Sequence, residues 1–163
     1  MYFSAMASKR APLGVEKNKK TVLLLFPKTE FDPLKPRMPS SLVYLGTELK
    51  NAGYNPVIVD TRVEADYLAK IKRYLPDCLM VGITTMTGMQ IVYALELAKL
   101  VRQLNPAVPI VWGGVHPSIM PNQVLESPYV DIIGRHEGDK NIVLIAEAIR
   151  KGLTLGTAVT LAM

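Results

Sequence analysis

Cysteine is nearly absent from this sequence, with one residue, Cys78, in 163. A single thiol cannot form an intramolecular disulfide, and it cannot provide the CxxxCxxC ligands of an iron–sulfur cluster. Cys78 lies at the start of an apolar run, so we expect a buried thiol with a packing role. Apolar runs of the roughly 18 to 20 residues that cross a bilayer are also missing, as is the apolar segment of a signal peptide. We therefore expect a soluble, cytoplasmic protein without membrane contact.

Basic charge is scarce beyond the first 20 residues. The net charge is +5, but residues 1–20 contain five basic side chains and one acidic side chain. The rest of the chain therefore carries a net charge of only +1, whereas a nucleic-acid-binding face needs a basic patch on the folded part. We expect residues 1–20 to form a basic, disordered tail and the protein to bind no nucleic acid.

The motifs of common nucleotide-binding and hydrolytic sites are missing as well. The first apolar run is followed by FPKTEFDP, which contains neither the GxGxxG nor the GxxxxGK[ST] phosphate loop. The proline-rich segment Pro27–Pro39 also does not fit a flavin phosphate loop, which would be rich in glycine and hydroxyl groups. Neither GxSxG nor HExxH occurs. The third apolar run ends in threonines where a phosphoacceptor receiver would have an aspartate. We find no catalytic set.

The sequence does contain a regular alternation of apolar runs and helical patterns. Strands are predicted at 21–26, 56–60, 78–84, 110–112 and 130–133, and helices at 40–52, 64–75, 89–105, 121–126 and 138–150. This alternation predicts an α/β fold with a doubly wound, five-stranded parallel sheet, flavodoxin-like strand order 2-1-3-4-5 and helices on both faces. The domain is expected to span residues 21–152, and residues 153–163 to form a C-terminal tail or the start of a linker.

Glycine, threonine and both histidines are concentrated in the loops after the predicted strands, at Thr85–Met89, Gly113–Ile119 and Gly134–Asp139. The carboxyl ends of parallel strands meet at one edge of the sheet, where ligands of this fold bind. Glycines let a ligand approach the backbone, and hydroxyls offer adjustable hydrogen bonds. A large, mostly apolar ligand with a polar tail fits these loops better than a metal ion, because the two histidines lie on separate loops.

Three turns carry a resemblance to a known family. They are MTGMQ at Met86–Gln90, WGGVHP at Trp112–Pro117 and GRHEG at Gly134–Gly138. Together with LLLFPKTE and PSSLVYLGTELKNAGYNPVIVD, they resemble the N-terminal cobalamin-binding domain of cobalamin-dependent radical-SAM enzymes. The likeness covers roughly Val22 to Gly152, and it implies that the cofactor is cobalamin, a cobalt corrinoid.

The resemblance also implies where the cofactor lies. In that family the corrinoid lies on the carboxyl edge of the sheet, and its nucleotide tail enters a slot beside the third and fourth strands. By position, this implies cofactor contacts from Thr84, Thr85, Met86, Thr87, Gly88, Gln90, Gly113, Gly114, Val115, His116, Gly134, His136, Glu137 and Gly138. For His116, the residues alone leave open a contact with the cofactor or a hydrogen bond that orders its own loop.

The sequence departs from related patterns at two points. Other cobalamin domains carry DxHxxG after the first strand, and its histidine ligates cobalt, but this chain has no histidine there. The resemblance therefore implies a base-off corrinoid without a histidine ligand from the first loop. At the fifth turn, relatives read GEGE where this chain reads RHEGD, so His136 is expected to crowd the corrin or to reach toward it.

The CxxxCxxC motif of the radical half is not in this sequence. We therefore expect a module that holds cobalamin for methyl transfer by a radical-SAM partner or domain. One alternative is a sensing or interaction module of the same fold that binds another large cofactor or none. Another is a small hydrolase or transferase that uses the histidines.

Overall fold

The computed structural model describes residues 5–7, 18–29, 37–136 and 138–152. The strands are β1 (Ala5–Ala7), β2 (Thr21–Phe26), β3 (Asn55–Asp60), β4 (Cys78–Thr84), β5 (Ile110–Gly113) and β6 (Ile132–Gly134). The helices are α1 (Ser40–Asn51), α2 (Tyr67–Tyr74), α3 (Gln90–Leu104), α4 (Val115–Ile119), α5 (Pro121–Glu126) and α6 (Asp139–Arg150), and a 3-10 turn at Leu75–Asp77 follows α2.

These strands form one sheet with the order β1-β6-β5-β4-β2-β3. Strands β2 to β6 are parallel, and they have the predicted flavodoxin-like order 2-1-3-4-5. The prediction of fold class is therefore confirmed. The sequence did not predict β1, which pairs antiparallel with β6. It also predicted loop where the five-residue helix α4 forms, and it placed β6 two residues too early.

The continuous apolar run of β2 serves both faces of the sheet, because successive side chains in a strand point to opposite sides. Leu23 and Leu25 pack into the core layer covered by α2 and α3. Val22 and Leu24 pack into the layer covered by α1 and α6. A sheet covered on both faces needs strands that are apolar at nearly every position, which is why the runs are unbroken.

Helix α6 is fixed near its C-terminus to the turn before β3. The Tyr54 hydroxyl donates a hydrogen bond to Glu147, and Arg150 donates to the other oxygen of the same carboxylate at 2.8 Å. Burial, with the Glu147 carboxylate beside the phenol, raises the pKa of Tyr54 to about 12. This contact holds α6 against the sheet at the edge opposite to the strand carboxyl ends.

Strand β3 is an outer strand of the sheet, and two polar side chains contact its main chain. The Ile58 carbonyl accepts a hydrogen bond from Lys70 Nζ at 2.8 Å, and the Asp60 N–H donates to Glu64 Oε1 at 2.8 Å. Lys70 and Glu64 are themselves an ion pair with an N–O distance of 2.6 Å. Pro56, which has no N–H, lies in the same strand.

Helices long and apolar enough to span a membrane are not found among the described residues. The predicted disordered tail at residues 1–20 falls outside those residues except for β1 and positions 18–20, and the predicted C-terminal tail at 153–163 falls outside them entirely. Both assignments stay predictions.

Candidate functional site

The loops after β4 and β5 share one backbone junction. Thr84 is paired with Gly113, and the Thr85 N–H donates to the Gly113 carbonyl at 2.8 Å. The Thr85 carbonyl then accepts from the His116 N–H at 3.1 Å. Gly114 adopts a φ of 103°, and a Cβ added there would lie 2.7 Å from the Thr85 carbonyl oxygen. Only glycine allows this close approach, so the sequence GG after β5 sets the junction.

Gln90 joins the loop after β4 to the loop after β2. Its side-chain oxygen accepts from the Met86 N–H at 2.7 Å, and its side-chain nitrogen donates to the Pro27 carbonyl at 3.3 Å. The side chain is buried. Gln90 thus acts on the two loops and has no place in the cavity described next.

A cavity of about 200 Å³ opens at the carboxyl edge, between the sheet and helices α1 and α6. Its floor is formed by Leu24, Gly82 and Val111 of the three central strands, and its walls include Leu42 on α1 and Ile145 on α6. A water molecule needs only about 10–15 Å³ of such space. We call this cavity the slot, and it has room for a ring-sized group.

The mouth of the slot is glycine-rich and polar. Gly113, Gly114, Gly134 and Gly138 border it. A Cβ added at Gly113 would meet no atom within 4 Å. Since Gly113 follows Val111 at the spacing that places both on one face of the strand, that added methyl would project into the slot. The mouth also includes the polar side chains of Ser41, Tyr44, Thr84, His136 and Asn141.

His136 lies at the mouth with a φ of 62°, an uncommon conformation for a residue other than glycine. Its N–H donates to Ser118 Oγ at 2.9 Å, and that hydroxyl donates to the Gly114 carbonyl at 2.8 Å. One serine hydroxyl therefore fixes the turn after β6 to the turn after β5. The His136 side chain is exposed.

His116 is buried, and its Nδ1 has no hydrogen-bond partner among the described residues. The Thr85 hydroxyl oxygen is also buried without a hydrogen-bond partner among the described residues. Burial lowers the pKa of the His116 imidazole, which favours the neutral ring. Neither side chain lines the slot. The His116 backbone N–H joins the loop junction. The two roles that the sequence left open concern its imidazole, and both stay predictions.

The rim of the carboxyl edge carries exposed apolar side chains. They follow β2, β4 and β5, and their exposed fractions range from 40% to 70%. Large apolar side chains that are exposed in the loops of a ligand-binding edge are candidates for contact with a ligand or a partner. We call this group the apolar rim, and it consists of Met38, Met86, Met89, Val115, Ile119 and Met120.

The predicted site residues divide into three groups. Those that line the slot are Thr84, Gly113, Gly114, Gly134, His136 and Gly138. Those that lie in the same loops without lining it are Thr85, Met86, Thr87, Gly88, Gln90, Val115 and His116. Glu137 lies outside the described residues.

Sequence reasoning missed the floor and the helical walls of the slot. Gly82 in the middle of CLMVGIT was a usable signal, because a glycine inside a strand marks a close approach. The apolar wall residues looked like ordinary core positions. The missed residues are Leu24, Ser41, Leu42, Tyr44, Leu45, Gly82, Ile83, Val111, Asn141, Ile142 and Ile145. In the described part of the chain, no cluster of three or more His, Cys, Asp or Glu side chains could bind a metal ion.

The slot and the fold define a cofactor-binding α/β domain, and comparison with known proteins identifies its class. Residues 38–146 match the B12 binding domain family. The chain belongs to this family, which confirms that its cofactor is cobalamin. The residues present fit that cofactor, because a deep apolar slot with a glycine mouth suits a nucleotide tail and the apolar rim suits a corrin ring.

Similar proteins agree with this assignment. The chain is 34% identical over 120 residues to the anaerobic magnesium-protoporphyrin IX monomethyl ester cyclase of Rubrivivax gelatinosus, covering 70% of this chain and 21% of that enzyme. It spans between 18% and 26% of the length of the curated relatives that it matches.

Two solved structures share the fold. The radical S-adenosylmethionine methyltransferase TsrM from Kitasatospora setae, with cobalamin and a [4Fe-4S] cluster bound, superimposes with a TM-score of 0.69 at 23% identity over 88% of this chain and 27% of TsrM. The cobalamin-dependent S-adenosylmethionine radical enzyme OxsB, with aqua-cobalamin bound, gives 0.69 at 23% identity over 87% of this chain and 21% of OxsB. The match to the B12 binding domain family and the curated relatives confirm the family resemblance inferred from the sequence.

Proposed function

We propose that this chain holds a base-off cobalamin with its nucleotide tail in the slot and its corrin ring over the apolar rim. The observation that carries the proposal is the slot itself, which is apolar at its floor and opens through glycines at the edge where this fold binds ligands. A lower base held between α1, α6 and the sheet would not be available as a ligand of the cobalt.

The proposed contacts follow from the placement of each residue. Thr84, Gly113, Gly114, Gly134, His136 and Gly138 border the tail. Met86, Thr87, Gly88 and Val115 face the corrin from the exposed loops. Thr85, Gln90 and His116 hold those loops in place through the hydrogen bonds described above. Glu137 stays a proposed contact in the turn after β6.

Cobalt receives no histidine from the loop after β2, because the sequence has none between residues 27 and 39. His116 is buried away from the slot, and its backbone N–H serves the loop junction. His136 is fixed at the mouth through Ser118, on the side where the tail enters. We infer that the lower face of the cobalt has no histidine ligand from the first loop.

Bound cobalamin supplies a cobalt centre that can carry a methyl group, and this chain orients it and limits access of water through its apolar rim. The chain contains no CxxxCxxC motif, so a radical-SAM partner or domain would perform the transfer. The names of TsrM and OxsB as radical S-adenosylmethionine enzymes support this proposal, as does a relative named as a methyltransferase in Pyrococcus horikoshii.

Retention of the cofactor tests the proposal directly. Purified protein is incubated with hydroxocobalamin and desalted, and its visible spectrum is recorded. We expect retained corrin absorbance near one equivalent. A protein fraction without corrin absorbance at micromolar concentration would refute the proposal.

Histidine ligation is tested separately by electron paramagnetic resonance of the bound cobalt(II) form. We expect a base-off spectrum that is unchanged when the protein is labelled with ¹⁵N-histidine. A nitrogen splitting that changes with the label would show a histidine ligand and contradict the base-off assignment without histidine. Ala substitutions at His116 and His136 would then identify its source.

A further inference from the structure

The slot has a polarity gradient along its depth. The lining side chains that are fully buried, with exposed fractions from 1% to 6%, are all apolar, and they are Leu24, Leu42, Ile83, Val111, Ile142 and Ile145. The polar lining side chains are half-buried or exposed and lie at the mouth. A ligand that enters the slot therefore leaves polar surroundings for purely apolar ones.

The main chain of the floor adds no free polar group to the slot. Leu24 is paired with Gly82, and Gly82 with Val111, in the two parallel ladders at the centre of the sheet. The amide and carbonyl groups of such central strands are used in the ladders. The floor therefore offers no hydrogen-bond donor or acceptor to the end of a ligand.

We propose that the slot selects corrinoids whose lower base is a benzimidazole over corrinoids whose lower base is adenine. This inference rests on the proposed function, because it concerns the base of the tail placed in the slot. A dimethylbenzimidazole presents hydrocarbon edges and two methyl groups beyond its imidazole. Adenine presents two further ring nitrogens and an amino group at the same end, and the floor leaves them without partners.

The size of the preference follows from the cost of burying unpaired polar groups. A polar group that loses water without gaining a partner weakens binding by roughly 5- to 150-fold. We expect cobalamin to bind at least about tenfold more tightly than the adenine-bearing corrinoid. An apolar pocket can discriminate against an added polar group by about a hundredfold.

The test compares three probes on the full chain, in the same cobalt oxidation state. They are hydroxocobalamin, its adenine-bearing analogue pseudocobalamin, and diaquocobinamide, which lacks the nucleotide tail. Dissociation constants are measured by visible titration, and each is corrected for the cost of detaching the lower base from cobalt, which is taken from the acid titration of the free corrinoid. We expect cobalamin to be the tightest, and both other probes to be weaker by about tenfold or more.

A pair of variants tests whether the apolar interior of the slot determines the preference. Ile145 lines the slot, whereas Ile149, one turn later on the same helix and in the same core layer, does not. The two are similarly buried, at 2% and 4% exposed. We expect Ile145→Asn to narrow the ratio between cobalamin and pseudocobalamin severalfold, because the amide offers the purine a partner. Ile149→Asn should leave the ratio unchanged. Circular dichroism reports whether both variants fold.

Each outcome for the wild type decides the inference, whether or not the variants fold. Equal affinities for cobalamin and pseudocobalamin, or tighter pseudocobalamin, overturn it while the proposed function stands. Cobinamide that binds as tightly as cobalamin shows that the tail contributes nothing in the slot, which overturns the inference and the placement of the tail. Failure of all three probes to bind refutes the proposed function as well.

Discussion

A methyl group added at Gly113 is expected to separate cofactor binding from folding. The added Cβ would meet no protein atom within 4 Å, and glycine inside a strand is less stable than alanine by roughly 0.5–1 kcal/mol. Gly113→Ala should therefore leave the free energy of unfolding unchanged or raise it slightly. The same methyl lies where the nucleotide tail is proposed to pass.

The loss of affinity can be estimated from overpacking. An extra methyl or methylene in a filled site costs roughly 1–3 kcal/mol, which is about 5- to 150-fold in the dissociation constant. Gly113→Val, with two more carbons, should lose most of the binding. Affinity is measured by corrinoid titration, and stability by thermal or urea unfolding of the cofactor-free protein.

Gly46→Ala is the matched control for this experiment. Gly46 lies on α1, and a Cβ there would meet Ile58 and Pro56 side chains at 3.6 and 3.7 Å, in ordinary contact and away from the slot. It should raise stability by about the Gly-to-Ala helix preference, close to 1 kcal/mol, and leave affinity unchanged. Gly114 is unsuitable as a probe. Its φ of 103° would strain the backbone of any substituted residue, whether or not the cofactor is bound.

Wild-type affinity in both Gly113 variants would refute the placement of the tail in the slot. A large fall in the stability of cofactor-free Gly113→Ala would contradict the finding that a Cβ at Gly113 meets no protein atom within 4 Å. Parallel losses of affinity in Gly113→Ala and Gly46→Ala would show that binding responds to the fold in general and not to the slot.

Three further predictions concern stability and reactivity. Because the pKa of Tyr54 is raised to about 12, the folded state keeps its proton when the unfolded state loses it near pH 10. The contribution of Tyr54 to the free energy of unfolding should therefore decrease between about pH 10 and 12. In the Tyr54→Phe variant, the free energy of unfolding should decrease less over this pH range. Burial raises the pKa of Cys78 to about 11, so iodoacetamide at pH 8 should modify it only after denaturation, and rapid labelling of the native protein would contradict its burial. Asp131 pairs with Arg102 and accepts the Ile110 N–H at 2.8 Å. Asp131→Ala should destabilise the protein by about 3–5 kcal/mol in urea unfolding, and a loss below 1 kcal/mol would show that the pair is dispensable.

The strand order was predictable because unbroken apolar runs at regular spacing leave few arrangements. Runs such as TVLLLF must be buried on both faces, and right-handed crossovers then limit the topology. The strand β1 was not predictable, since three residues, AMA, carry no strand pattern of their own. Helix α4 has only five residues, too few for a helical period to be visible.

The mouth of the slot was predictable and its interior was not. Gly113, Gly114 and Gly134 stand out because glycine clusters after strands signal close approach. Leu42 and Ile145 do not stand out, because a helical residue that lines a cavity has the same side chain as one that fills a core. Only the packing of α1 and α6 against the sheet distinguishes the two situations.

The outer strand β3 is protected against pairing with a strand of another molecule. In a parallel ladder the N–H and carbonyl of one residue point to the same side, and the Asn55 and Thr61 N–H groups are bonded toward β2. Pro56, Ile58 and Asp60 therefore face outward.

Pro56 has no N–H to offer, Lys70 occupies the Ile58 carbonyl, and Glu64 occupies the Asp60 N–H. Proline and charged side chains are the means by which natural sheets prevent edge-to-edge aggregation. A second chain would have to break the Lys70–Glu64 pair before it could extend the sheet at this edge.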